Sequence, residues 1–328
     1  MININADTIM IPTISDLKST ENNDACTQAS SISEWKQEYF QLSSGVFKGT
    51  TKEIHVGNIQ IFQEAMNQIV YQKSTSQKNS FTIAIPTKIC GEGNWNGKLL
   101  NRNNTLLYLR PNYEHFFKTP IFSDLYGITL NVELLNKYFE DSDIYLSTNI
   151  KELNLLDNNF YLDIVGRMIG IFKVIEKNKK EMKYLNLYSH LESEVYDLLF
   201  DIFNYMPKIR NKYPSQYVAC YLIDCTKEFI FFNKSKNLNV SDICNELKVS
   251  RRSLHYSFNK VLGISPVVFL RYIRLNGAKQ EIIIKDGNVS INDIALKWGF
   301  GHMGMFSYYY KQLFSELPSQ TVKRYLMK

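Results

Sequence analysis

The sequence predicts an α+β fold: a small N-terminal β-barrel followed by a helical hairpin, then an all-α C-terminal domain of two tandem helix-turn-helix units. Three observations predict it. β-favouring runs fill the first half, helical spacing takes over after Asn159, and a unit repeats itself beyond Pro214.

The β-favouring runs are Ile54-His55-Val56, Ile59-Gln60-Ile61-Phe62, Phe81-Thr82-Ile83-Ala84-Ile85, Leu106-Leu107-Tyr108-Leu109 and Ile128-Thr129-Leu130-Asn131-Val132. Gly57-Asn58 and Asn96-Gly97 are turn signals. Gly91, Gly93 and Gly97 crowd one connection, as turns of a small barrel or sandwich do. Trp95 on that connection reads as a barrel plug, with the wall of a ligand pocket as the sharper alternative. Residues 1–31 are polar and turn-rich and are expected to form a flexible leader.

From Phe160 to Glu176 the apolar residues Phe160, Ile164, Met168, Ile171 and Ile175 keep a helical period. Leu187 to Met206 repeats this with Leu187, Leu191, Val195, Leu198, Leu199 and Phe203. Lys177–Lys183 is a charged hinge, so two antiparallel helices are expected. Their stripe either packs on the barrel or pairs with a second copy. Lys208–Pro214 reads as a linker.

Beyond it, Ser241-Asp242-Ile243-Cys244-Asn245-Glu246-Leu247 matches Asn292-Asp293-Ile294-Ala295-Leu296-Lys297-Trp298 at an offset of 51. Each stretch opens on a residue able to cap a helix, with an Asp to complement the positive dipole end. A break follows each: Lys248-Val249-Ser250, then Gly299-Phe300-Gly301-His302. The second break is one residue longer, so the offset becomes 52. Helices are then expected over Arg251–Val261 and Met303–Leu313. At the new offset Leu254 matches Phe306, Phe258 matches Tyr310, Val261 matches Leu313, Leu262 matches Phe314 and Pro266 matches Pro318. A helix, a tight turn and a second helix form a helix-turn-helix, whose second helix lies in the DNA major groove. Ile264–Lys285 is expected to be a long connecting helix, with Arg271, Arg274 and Lys279 as candidates for phosphate contact. Two such helices on a rigid joint would meet one face of the duplex one turn apart, ~34 Å.

Charge supports a polyanionic partner. Residues 214–328 hold 16 Lys and Arg against 8 Asp and Glu, a net of +8, while the whole chain carries +6, leaving −2 on residues 1–213. Near the start of the first reading helix, Arg251, Arg252, Ser253, His255 and Tyr256 supply side chains suited to base edges and phosphates. The second helix opens on His302 with Met303, Gly304 and Met305, followed by Ser307, Tyr308 and Lys311. These suit apolar contact with thymine methyls and phosphate anchoring. Most base discrimination is therefore expected from the first helix.

Other classes are excluded. The histidines His55, His115, His190, His255 and His302 are scattered, so no metal site is expected. Gly91-Glu92-Gly93 lacks the Lys and Ser/Thr of a phosphate loop, and no nucleophile motif occurs. The chain is expected not to be an enzyme and to need no cofactor. No apolar run approaches the ~20 residues of a membrane helix, and no signal peptide is expected. The five cysteines are odd in number without a CxxC pair, which points to a reduced, cytoplasmic protein.

The tandem units, the connecting helix and the closing run Gly299-Phe300-Gly301-His302, Phe306, Tyr310-Lys311, Phe314 and Leu317-Pro318 resemble the AraC/XylS family of bacterial regulators over residues 215–325. The resemblance implies DNA-facing positions at Arg251, Arg252, Ser253, His255 and Tyr256, then at Met303, Gly304, Met305, Ser307 and Tyr308. In the second set the family usually carries Ser, Gln, Thr or Arg, so this chain departs there. The stretches Trp35–Tyr39, Gly45–Gly49, Gly57–Phe62, Gly91–Gly93 and Arg110-Pro111 resemble the ethanolamine-operon-regulator subgroup. The resemblance implies a cupin-like barrel for effector binding, dimerisation or both.

The expected organisation is a leader (1–31), a β-rich sensing domain (32–150), a dimerisation or packing hairpin (151–207), a linker (208–214) and a tandem helix-turn-helix DNA-binding domain (215–328). The expected function is a sequence-specific transcription regulator, an activator. Expected partners are double-stranded DNA, RNA polymerase, a small-molecule effector or regulatory protein, and a second copy, with no membrane.

Overall fold

The computed structural model describes residues 14–139, 153–178, 185–206 and 215–327. The first strands are β1 (Lys18–Asn22), β2 (Lys36–Gln41), β3 (Gly49–Val56), β4 (Ile59–Met66), β5 (Val70–Thr75) and β6 (Ser80–Cys90), with helix α1 (Ala25–Ala29) after β1. They are followed by β7 (Gly93–Trp95), β8 (Lys98–Leu100), β9 (Thr105–Leu109), β10 (His115–Lys118), β11 (Phe122–Asn131), helix α2 (Val132–Tyr138) and β12 (Leu153–Leu155). The helical part contains α3 (Asn158–Lys177), α4 (Leu185–Tyr205), α5 (Ser215–Phe232), α6 (Val240–Leu247), α7 (Arg251–Val261), α8 (Pro266–Ile284), α9 (Ile291–Lys297), α10 (Met303–Phe314) and α11 (Pro318–Leu326).

The strands form two antiparallel sheets rather than the closed barrel that the sequence suggested. One runs β1-β3-β4-β11-β6-β9-β12 and the other β2-β5-β10-β7-β8. Among the described residues β2 and β8 pair on one side only, so the second sheet stays open. Period-2 alternation sorts the larger sheet. Ile54, Ile61, Ile128, Ile83 and Tyr108 stand opposite one another across five strands. All five belong to a core shared with Ile164, Met168 and Ile171 of α3 and Leu191, Val195 and Leu198 of α4. The next row, Glu53, Phe62, Gly127, Ala84 and Leu107, points the other way, between the sheets. Each buried isoleucine contributes roughly 1.5–3 kcal/mol of gross stabilisation. The apolar stripe of the hairpin thus covers the sheet, the blander of its two expected roles.

Part of the expected leader is ordered. Lys18–Asn22 pairs with β3, and Asp24 caps α1 by accepting from Thr27 N at 2.7 Å. The remainder, residues 1–13, the linker 208–214 and most of the hinge lie outside the described residues. Among the described residues no helix is long and apolar enough to cross a membrane.

The smaller sheet sits against the C-terminal helices. Phe40, Tyr71 and Phe116 share one core with Ile223, Ile243, Leu254, Phe258 and Phe269. A separate core around Leu275, Ile294, Trp298, Phe306 and Tyr310 holds the last helices. α8 runs from one core into the other. It begins at Ser265, which caps Val268 N, with Pro266 at its first position, where a missing N–H costs nothing.

Candidate nucleic-acid interface

Two helix-turn-helix units carry the candidate interface. α6 starts two residues earlier than the sequence suggested. The Asn239 side chain accepts from Ser241 N (2.8 Å) and Asp242 N (3.2 Å), while the Asp242 carboxylate accepts from Asn239 N (2.8 Å). That reciprocal pair satisfies the first orphan amides of the helix. Likewise Ser290, not Asn292, caps α9, accepting from Asp293 N at 3.3 Å. Local reading missed both caps because Val240 and Ile291, each following its cap, were not assigned to the helix.

Both turns pass through one left-handed residue. Lys248 ends α6 with φ of 52°, and Gly299, its counterpart in the repeat, has φ of 74°. Both are in the left-handed region, which a lysine occupies at some cost. α7 then starts at Ser250, whose hydroxyl accepts from Ser253 N at 3.1 Å. α10 starts at His302 with no side-chain cap bond, the difference its sequence foreshadowed.

The anchors predicted by the repeat are all buried: Leu254, Phe258, Val261 and Leu262 on one side, Phe306, Tyr310, Leu313 and Phe314 on the other. With these inward, the other face of each helix is open. Arg251, Arg252, Ser253 and Tyr256 are exposed and His255 is half-buried. On α10, Gly304, Met305, Tyr308 and Lys311 are exposed, and Met303 and Ser307 are half-buried. Beyond its chain neighbours and its own helix backbone, nothing lies within 4 Å of where a Cβ on Gly304 would sit. The positive end of the α7 dipole and two arginines in its first turn face the same solvent, a natural anion site.

Two of the phosphate candidates on α8 are not on this surface. Arg274 is buried, donates to Lys236 O at 2.6 Å and packs at the Gly299 turn. Lys279 is buried, pairs with Glu316 at 3.1 Å and lies 4.3 Å from the centre of the Phe314 ring. Burial lowers the pKa of both groups. Arg274 ties the α5–α6 loop and the Gly299 turn to α8, Lys279 ties Glu316 to it, and neither is free for phosphate. Arg271 places its guanidinium 4.2 Å from the centre of the Tyr309 ring, bracing α10 from α8. Gly277 completes the joint: a Cβ there would fall 2.1 Å from the Trp298 ring, so only glycine lets helix and indole meet.

Between the sheets lies a cavity of about 40 Å³ bordered by Trp35, Tyr39, Phe62, Glu64, Trp95 and Phe117. Trp95, for which the sequence offers a plug or a pocket wall, is buried and lines this cavity. Burial pushes the Glu64 carboxyl up to about 7, against donation from Gln28 Nε2 (3.0 Å) and Tyr39 OH (3.2 Å). Glu53 is also buried, yet its pKa is lowered to about 2, because bonds from His55, Ser33 and Gln60 outweigh the effect of burial. Sequence reading missed Glu64, since its burial depends on strands far apart in the chain.

A family model described as a helix-turn-helix domain matches residues 243–324, from within α6 into α11. The chain is 33% identical over 102 residues to the XylDLEGF operon transcriptional activator 1 of Pseudomonas putida, covering 31% of each protein. It is 31% identical over 97 residues to the probable thc operon regulatory protein of Rhodococcus erythropolis, covering 29% of each. These matches span about a third of the relatives' length. The AraC-like transcriptional activator CuxR is 15% identical over 85% of this chain and 99% of its own, with a TM-score of 0.39.

Proposed function

We propose that this protein is a sequence-specific DNA-binding transcription regulator of the AraC/XylS kind, acting as an activator. The observation that carries the reading is the duplicated unit: two second helices with matched buried anchors, each leaving an open polar or apolar face. On α7, Arg251 and Arg252 are assigned to guanine edges and phosphates, and Ser253, His255 and Tyr256 to bases or backbone. On α10, Met303, Gly304 and Met305 are assigned to apolar contact with thymine methyls, and Ser307, Tyr308 and Lys311 to the backbone. The two relatives above are described as an operon activator and an operon regulatory protein, which supports the same reading. An activator of this kind would meet RNA polymerase beside its site. The subgroup resemblance of the N-terminal half, to ethanolamine-operon regulators, belongs to this proposal and rests on its sequence stretches.

The test is enrichment of fragmented genomic DNA by the purified chain at physiological salt. A shared motif with two major-groove segments about one turn apart supports the reading. Recovery without sequence preference contradicts it.

A second reading concerns the N-terminal domain as an effector-binding module. The cavity between the sheets favours it. Trp95 Nε1 and Gln37 Oε1 are buried without a hydrogen-bond partner, and Glu64 is buried without an ion pair among the described residues. Glu64 accepts from Gln28 and Tyr39, whereas buried atoms such as Trp95 Nε1 and Gln37 Oε1 are normally satisfied by ordered water or a bound polar group. A small molecule that raises the melting temperature of the full chain and changes its DNA affinity would establish it. Stabilisation without any change in DNA affinity would count against it.

A further inference from the structure

Beside its apolar packing on Phe269, the smaller sheet reaches the joint between the two units through hydrogen bonds at one residue, Gln41. Gln41 ends β2, the open edge of that sheet, so its outward peptide groups have no strand beside them. Asn276, in the middle of α8, takes the place of that strand. Its Oδ1 accepts from Gln41 N at 2.8 Å, and its Nδ2 donates to Gln41 O at 2.9 Å and to Tyr272 O at 2.8 Å.

The Gln41 side chain continues the contact. Its Nε2 donates to Leu313 O at 3.1 Å, and Gly45 N donates to the same carbonyl at 3.0 Å. Leu313 lies in the last turn of α10, where helix carbonyls have no partner within the helix. The loop that delivers Gly45 is itself fixed. Gln41 Nε2 also lies 2.8 Å from both Ser43 O and Gly45 O, and Ser43 Oγ donates to Gln68 Oε1 at 2.6 Å. Gly45 has φ of +138°, and a Cβ there would meet Gln68 Nε2 at 2.4 Å, so the loop requires glycine. Gln41 is 1% exposed.

The same sheet holds the first unit. Lys73 of β5 pairs with Asp224 of α5 at 2.9 Å, and Glu38 of β2 pairs with Lys227 of α5. The sheet therefore grips α5, α8 and the last turn of α10 at once. It meets α10 at the end remote from Met303–Met305, and the open faces of α7 and α10 remain exposed. The contact braces the reading helices without covering them.

We propose that Gln41 and Asn276 form a clasp through which the N-terminal domain sets the second reading helix relative to the first. They are positioning residues for two-segment DNA reading, and the inference rests on the DNA-reading proposal above. The clasp makes the spacing between the two half-motifs a property of the whole chain, not of α8 alone.

The experiment is selection from a randomised 40-base-pair duplex library by the full chain, by Gln41→Ala and by Asn276→Ala. Amide exchange is followed on the same proteins without DNA. The wild type is expected to recover a bipartite motif of fixed spacing. The variants should keep the half-motif read by α7, and the second should scatter in spacing or disappear. Preference for matched over shifted spacing should fall roughly tenfold, as the loss of one or two buried hydrogen bonds implies. Exchange should quicken in α10 and α11 and stay unchanged in α6 and α7. A loss of folding alone would weaken both half-motifs together and overturn the clasp. An unchanged bipartite motif in both variants overturns the clasp and leaves the DNA reading standing. A wild type that recovers no motif overturns both.

Discussion

Arg252 sits in the first turn of α7 with its side chain exposed, and no hydrogen bond or ion pair holds it among the described residues. Such an arginine is free to form a bidentate pair with guanine. Arg252→Ala is expected to cost about 1–3 kcal/mol in binding a selected duplex and to relax the preference at one base pair, read by titration against single-base variants. A uniform loss across sequences would instead make it a phosphate contact. Lys311, exposed on α10, is proposed to be a contact of that second type. Lys311→Ala should weaken all duplexes alike and reduce the salt slope by about one unit. Glu64 gives a residue-scale prediction of another kind. Burial raises its carboxyl from 4.5 to about 7, so the folded state holds this proton more tightly than the unfolded chain. Stability must then fall as pH rises from about 4.5 through about 7, because folding opposes ionisation there. Glu64→Gln removes the penalty. It should match the wild type in melting temperature near pH 4 and exceed it near pH 8. A difference independent of pH would show that ionisation is not its cause. Tyr39, whose own pKa is raised by burial, and the neutral Gln28 are the groups bonded to that carboxylate.

The element scale shows what sequence could and could not reveal. The repeat was legible because burial in each unit is local: three anchors on α7 with Leu262 just after it, and four on α10, keep the same spacing, and all eight are buried. Phe258→Ala should cost about 3–5 kcal/mol, and the same loss is expected from truncating its counterpart Tyr310, measured by denaturant unfolding. The caps were legible in kind but misplaced by two residues, since a polar residue inside the first turn resembles one just before it. Asn239→Ala should cost about 1 kcal/mol. α8 was the element least legible. A periodic stripe identifies one buried face, but α8 meets the first core, the second core and the β2 edge together. Arg274 and Lys279 therefore looked like solvent-facing cations, although both are buried. Gly277→Ala tests the tightness of this packing: the added methyl would overlap the Trp298 ring and should destabilise the second unit more than the first.

At the scale of the whole molecule, the β-rich half and the helical half share a core. Phe40 and Tyr71, on paired positions of β2 and β5, pack with Phe231 of α5 and Phe269 of α8. None of this was legible, because the contacts link residues nearly two hundred positions or more apart, and no local period encodes such pairings. The alternation that builds the sheets was legible strand by strand. Their arrangement as two open layers was not, since strand order depends on long-range pairing. Phe40→Ala should cost on the order of 3 kcal/mol and quicken amide exchange in α5 and α8 as well as in β2. Exchange confined to β2 would mean that the two halves stand apart in solution.

The most direct test of the central claim is a competition titration of the full chain at physiological salt. A duplex enriched from genomic fragments is displaced by itself and by a scrambled duplex of the same composition. Sequence-specific reading predicts a preference of about a thousandfold or more for the enriched duplex, with both affinities falling as salt rises. Equal displacement by the scrambled duplex would contradict it and reduce the basic C-terminal domain to a non-specific polyanion binder.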